Sequence, residues 1–258
     1  MEERDIVIDV KNIEKPDLKN NEKQKPNELP IIPTKDHIRR AIKHANVKYR
    51  AIILLISSSG MTSSGIRRLT IKDYLDSLEI TKYDLSDVAE LIQMLREKES
   101  NIIPTWSMRR SKTGLHYFTF SSLQSSHAIN DYIEDRIEKK RNFTNDNDYL
   151  FESRGGLMDP KTFVSYFTRL NDICGFGSPN GQPLFTSHAL RKFFVCNLQY
   201  SGFDSLEAKS LLGHNVPKIT HKYFKPDIER LKGIYSKALN WLSLGILEAR
   251  VIESEIDE

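Results

Sequence analysis

Apolar positions recur at helical spacing along most of this chain. Ile38, Ala41, Ile42 and Ala45 fall three or four apart, and Thr34 stands where such a helix needs an N-cap. The stretch from Lys48 to Ser58 contains the longest apolar run, Ala51 to Ile56, and predicts a helix buried on every side. SSSGMTSS punctuates it, and short helical segments are expected around Ser64–Leu69 and over Thr70–Tyr74. Val88, Leu91, Ile92, Met94 and Leu95 mark a further helix within residues 84–97. The period then changes. IIPTWSMRR and HYFTFSS are rich in strand formers and flank Ser111-Lys112-Thr113-Gly114, which predicts a β-hairpin with Trp106 and Phe118–Phe120 in its core. Residues 122–140 read as an amphipathic helix ending in a basic cluster, with RNFTNDND as the connector that follows. Asp159 caps the next helix, with Pro160 in its first turn and Leu170 near its end. Thr186 or Ser187 caps HALRKFFVCNLQYSG, and Ser205 begins LEAKSLLG, which Gly213 closes. Two last helices are expected around Ile219–Phe224 and Asp227–Leu247. No internal repeat is visible. About nine helices and one hairpin make an α+β domain that is mainly helical.

Composition refines this. Residues 1–33 are polar, with DIVIDV as a single short strand candidate, and read as a linker or disordered tail. The ordered domain is expected over 34–247 and an acidic tail over 248–258. The chain's net charge of +3 is unevenly spread. Residues 1–35 carry −1 and residues 248–258 carry −4, which leaves +8 on 36–247. A basic body between acidic ends suits a nucleic-acid partner. No stretch approaches the roughly 18 consecutive apolar residues of a membrane span, so no membrane association is expected. The charged N-terminus has no apolar signal core. Cys174 and Cys196 give no disulfide framework and suit small buried positions in a cytoplasmic protein. No Cys/His cluster has zinc-ligand spacing, and no metal or cofactor is expected.

Four short motifs carry the chemistry. Lys112 stands at the hairpin tip. His188 and Arg191 lie three apart at a helix start, hence on one face. Leu211-Leu212-Gly213-His214 follows, and Tyr223 comes nine residues after His214. Each alone is commonplace; the set, in this order and at these spacings, resembles the catalytic domain of the tyrosine recombinases, the phage-integrase family. The resemblance covers roughly residues 34–245, and YFKPDIERLKGIYSKALNWLSL looks like the archaeal branch.

The resemblance implies a site-specific DNA recombinase or integrase of a virus or other mobile element. It would act on double-stranded DNA as a homotetramer, through a 3′-phosphotyrosine intermediate. Tyr223 is then the nucleophile, His188 its base and Lys112 the acid for the leaving 5′ oxygen. Arg191, His188 and His214 would face the nonbridging oxygens of the phosphate, where preorganised donors act most strongly. Arg68, Arg109 and Arg110 are DNA-binding candidates, and a segment within Trp241–Leu247 is a candidate for docking on a neighbouring protomer.

Two departures from the family pattern stand out. Its first arginine belongs to Gly-Leu/Met-Arg-x-x-Glu, but here Thr62 and Gly65 occupy the arginine and acid positions. Arg67 is the expected substitute, ahead of Arg68, although the two lie about 140° and 240° around a helix from position 62. The second departure is the polar N-terminal stretch, where the family usually carries a helical core-binding domain. Rival readings are a DNA-binding remnant without catalysis, and a type IB topoisomerase-like enzyme that relaxes any supercoiled DNA.

Overall fold

A computed structural model describes residues 32–110, 113–214 and 227–245. The expected DIVIDV strand, the Ile219–Phe224 helix and the acidic tail lie outside the described residues.

The fold is built around one fully covered helix. Thr34 caps α1 (Lys35–His44) as expected, accepting from the His37 amide, and Ile38, Ala41 and Ile42 form its buried face. Asn46 caps α2 (Val47–Ser59), whose residues from Ala51 to Ser59 are all buried. That follows from its near-continuous apolar sequence, which leaves no polar face for water. α2 lies against α6 (Leu123–Glu138) and α8 (Ser187–Tyr200).

The end of α2 organises what surrounds it. A helix leaves its last carbonyls without intrahelical donors, and burial makes that costly. Three consecutive carbonyls here receive donors from three elements. The Tyr235 hydroxyl of α10 (Ile228–Leu242) donates to Ser58 at 2.7 Å. Thr119 of β2 (His116–Phe120) donates to Ser59 at 2.7 Å. The Arg191 guanidinium of α8 donates to Gly60. Gly60 adopts φ 65°, and a Cβ there would meet the Phe194 ring. Only glycine fits this turn between α2 and α8.

Two short helices follow, α3 (Ser63–Arg68) and α4 (Ile71–Ser77), capped by Thr62 and Thr70. Asp87 caps α5 (Val88–Glu99), so residues 84–87 lie outside the helix. Just before them, the Tyr83 hydroxyl donates to Asp146. The predicted hairpin forms from β1 (Thr105–Arg109) and β2, antiparallel, with Met108 opposite Tyr117 and Thr105 opposite Phe120. Strand alternation corrects one expectation. Trp106 and Phe120 are buried, but Phe118 lies opposite Ser107 on the face away from Trp106 and is exposed.

Beyond α6, a small second hairpin, β3 (Glu152–Ser153) with β4 (Gly156–Leu157), was not anticipated. Its strands are too short to carry a period, and Arg154 and Gly155 make the turn with positive φ. α7 (Pro160–Ile173) starts at the predicted Asp159 cap. Thr186 caps α8. Asp204 caps α9 (Ser205–Leu211), and Gly213 lies past its end at φ 61°. Cys174 is buried and Cys196 half-buried. Among the described residues, no helix is long and apolar enough to cross a membrane. The architecture is α+β and mainly helical, with ten α-helices and two two-stranded sheets among the described residues.

Candidate active site

Arg191, His214 and Arg110 come together where α8, the end of α9 and the first hairpin meet. Arg191 lies one turn into α8 and is buried. Its guanidinium is held from several sides. One nitrogen donates to the Gly60 carbonyl, and the other lies 3.0 Å from the Leu212 carbonyl and 3.1 Å from Nε2 of His214. Burial draws the Arg191 pKa down, nearby Tyr117 opposes that, and Arg110 adds to it.

The contact with His214 fixes a tautomer. Arginine has only donors, so Nε2 of His214 must accept and the ring proton sits on Nδ1. The electrostatics agree. Burial lowers the His214 pKa, and the cations Arg191, Arg110 and Lys209 lower it further. A neutral imidazole with an Nδ1–H donor is therefore the form held at neutral pH.

This shift has a consequence for stability. The unfolded chain keeps an ordinary histidine pKa of 6.5, and the folded value lies below it. Between the two, the unfolded state binds more protons, so stability falls as pH drops through 6.5 and is fully present above it. The urea midpoint is expected to be lower at about pH 5.5 than at about pH 7.5, and His214→Asn is expected to reduce the difference. A His214→Asn profile that parallels the wild type would refute the assignment of the effect to this ring.

Close packing sets the position of His214. A Cβ on Gly213 would come within 2.5 Å of the Tyr117 ring. Tyr117 is buried on β2, and burial raises its pKa against the pull of Arg191 and Arg110. The glycine lets the α9 turn rest flat against the hairpin. At the end of β1, Nη1 of Arg110 donates to the Gly213 carbonyl at 2.8 Å. The pattern of apolar positions does not reveal Tyr117 or the Gly60 carbonyl as part of this group. Their only signal was strand alternation for the first and the Gly60-Met61 pair for the second.

The remaining candidates are placed as follows. His188 is exposed in the first turn of α8 and has a partner in the fold. Arg68, Arg109 and Arg110 line one open cleft between α3 and the hairpin, together with Asp73. Nε of Arg109 reaches back to the Gly114 carbonyl at 3.4 Å. Thr62 has extended backbone angles, φ −77° and ψ 157°, and its hydroxyl accepts from the Gly65 amide as the cap of α3. Position 62 therefore precedes the helix, and the angular reckoning that extended the helix back to it does not hold. Arg67 turns to the far side of α3, where Nη1 donates to the Met158 carbonyl at 2.7 Å. Lys112 and Tyr223 lie outside the described residues, as does part of Trp241–Leu247. Within the described part of that segment, Trp241 is exposed and packs against Tyr200 at the end of α8. Among the described residues, no group of three His, Cys, Asp or Glu is placed to hold a metal ion.

Comparison with known proteins places this geometry in context. Tyrosine recombinase XerC of Rickettsia rickettsii (strain Sheila Smith) is 24% identical over 212 residues, covering 81% of this chain and 57% of the relative. The XerC of Rickettsia felis (strain ATCC VR-1525 / URRWXCal2) matches at the same identity and coverage. The chain thus spans 57% of the length of these curated relatives. Among solved structures, the XerA recombinase has the same fold at a TM-score of 0.52 and 21% identity, covering 82% of this chain and 66% of that one. XerH site-specific recombinase, in a post-cleavage complex with palindromic difH substrate, follows at a TM-score of 0.53 and 18% identity, covering 82% and 53%. The model of the phage integrase family matches residues 33–230, most of the chain and all of the Arg191–His214 group, and the chain belongs to that family.

Proposed function

We propose that this chain cuts and rejoins double-stranded DNA at a specific site, one strand at a time, as part of a homotetramer. The observation that carries the reading is the 3.1 Å contact between Arg191 and His214, which joins the His-x-x-Arg and Leu-Gly-His motifs in one preorganised group. Membership of the family and the names of the XerC relatives support it. So does the basic charge of residues 36–247.

The proposed reaction needs no external energy source. The Tyr223 phenol oxygen attacks the scissile phosphorus, and its proton passes to His188. The bond from phosphorus to the 5′ oxygen breaks, and that oxygen takes a proton from Lys112. The product is a 3′-phosphotyrosyl linkage, which a 5′ hydroxyl of a second strand reverses by the same steps. Arg191 and the Nδ1–H of His214 stabilise charge on the nonbridging oxygens. Arg191 is buried and His214 half-buried, and both are already oriented, so they spend little reorganisation as that charge develops.

Covalent capture tests the reading. The protein is incubated with nicked duplexes drawn from the DNA around its own coding sequence, denatured, and assayed for a DNA–protein adduct. An adduct is expected, and it should vanish in Tyr223→Phe. Salt-sensitive DNA binding without any adduct would replace this reading with that of a non-catalytic DNA-binding protein. Relaxation of supercoiled plasmids regardless of sequence would point to topoisomerase-like action.

A further inference from the structure

Two guanidiniums are bound to the turn that leads into His214, and they are held in parallel ways. Arg191, from α8, donates to the Leu212 carbonyl at 3.0 Å. Arg110, from the end of β1, donates to the Gly213 carbonyl at 2.8 Å. Consecutive carbonyls of the single turn that leads into His214 thus anchor both. The two cations are close enough that each depresses the His214 pKa, and Arg110 also acts on Arg191. Neither is ion-paired with a carboxylate among the described residues; their hydrogen bonds there go to backbone carbonyls and to the His214 ring. Neighbouring like charges held without a counterion are the mark of a site that receives an anion.

Arg110 differs from Arg191 in what remains available. Arg191 is buried and committed to three groups. Arg110 is half-buried, gives one of its five N–H donors to Gly213, and also lines the open cleft that Arg68 and Arg109 share. Of the two arginines near the sequence position of the missing one, Arg67 donates to Met158, and Arg68 lines the cleft with no hydrogen bond to the turn before His214. Thr62 itself is a helix cap.

We propose that Arg110 is a catalytic residue that supplies the second guanidinium at the scissile phosphate, together with Arg191, in place of the arginine absent at position 62. The phosphorane formed during strand transfer carries charge on two nonbridging oxygens. One arginine fork serves one of them well, and a second guanidinium anchored on the same turn serves the other. The assignment rests on the strand-transfer reading given above.

The test replaces the scissile phosphate in a nicked duplex with a methylphosphonate, which removes one charged nonbridging oxygen. Rates of Tyr223-dependent adduct formation are compared on both substrates for wild type, Arg110→Ala, Arg110→Lys and Arg67→Ala, with folding checked by circular dichroism. Arg110→Ala is expected to lose about 10²-fold or more on phosphate. Its defect on methylphosphonate should shrink to less than about tenfold, because the charge that Arg110 balances is gone. Arg110→Lys keeps the charge without the fork, and should fall between wild type and Arg110→Ala on phosphate. An equal defect of Arg110→Ala on the two substrates would show a merely structural role and overturn the proposal. A near-normal rate on phosphate would overturn it as well, as would methylphosphonate rescue of Arg67→Ala in place of Arg110→Ala. Each of these results leaves the strand-transfer reading intact. An absence of adduct with wild type on every duplex fails that reading itself, and the Arg110 assignment with it.

Discussion

Arg191→Ala is expected to slow covalent adduct formation by about 10²–10³-fold, the loss seen when one preorganised donor is removed from a comparable site. It should also weaken the fold. The substitution strips donors from the Gly60 and Leu212 carbonyls in a buried setting, and it removes the group that fixes the His214 ring. Each buried acceptor left bare costs about 1–3 kcal/mol, so a total near 2–4 kcal/mol is expected. For a domain of this size that lowers Tm by roughly 5–15 °C. The two effects separate cleanly. Rates are measured below the variant's own transition, and stability is read from thermal unfolding. Arg191→Lys sharpens the result, because a lysine keeps the charge and one carbonyl contact but cannot serve several acceptors in one plane. It should recover part of the stability and little of the rate. An Arg191→Ala protein that forms adduct within tenfold of wild type would remove this residue from the proposed chemistry.

Gly213→Ala is expected to destabilise the protein by about 2–4 kcal/mol, for two separable reasons. Its φ of 61° is a left-handed conformation that costs an L side chain roughly 1–2 kcal/mol. The added Cβ would also lie 2.5 Å from the Tyr117 ring, which must then move within a packed core. A double-mutant cycle divides these terms. Tyr117→Leu removes the ring, so combining it with Gly213→Ala should cost at least about 1 kcal/mol less than the sum of the single variants. Urea midpoints of the four proteins give the coupling directly. Strict additivity would mean that the contact between the α9 turn and the hairpin is not close in solution. Because the Gly213 carbonyl also accepts from Arg110, adduct formation should fall with stability in Gly213→Ala.

Much of the architecture was legible before any coordinates. Thr34, Asp159 and Thr186 cap their helices as their side chains predict, and the buried α2 follows from its apolar run. The hairpin sits where the period changes from helical to alternating. These features are local. A cap is satisfied within three residues, and a periodic stripe needs only some apolar partner to face. The misreadings share an origin too. Phe118 is exposed because alternation puts it on the hairpin face away from Trp106, and β3–β4 is too short to have a period.

The motifs that name the family are also local strings, so the His188–Arg191 and Leu211–His214 segments could be read directly from the chain. What joins them is not local. Arg191 reaches Gly60 across 131 positions of sequence, and Arg110 reaches Gly213 across 103. Sequence reading expected Arg67 as the replacement arginine although helical spacing set it about 140° from position 62. Folding makes Thr62 the cap, turns Arg67 toward Met158, and brings Arg110 to the turn before His214. The sequence by itself determined the elements, their ends and the kind of chemistry, because short-range hydrogen bonding and periodic burial dictate those. The tertiary structure alone decided which arginines stand beside His214, because that depends on which buried carbonyls, far apart in the chain, were left in need of a donor.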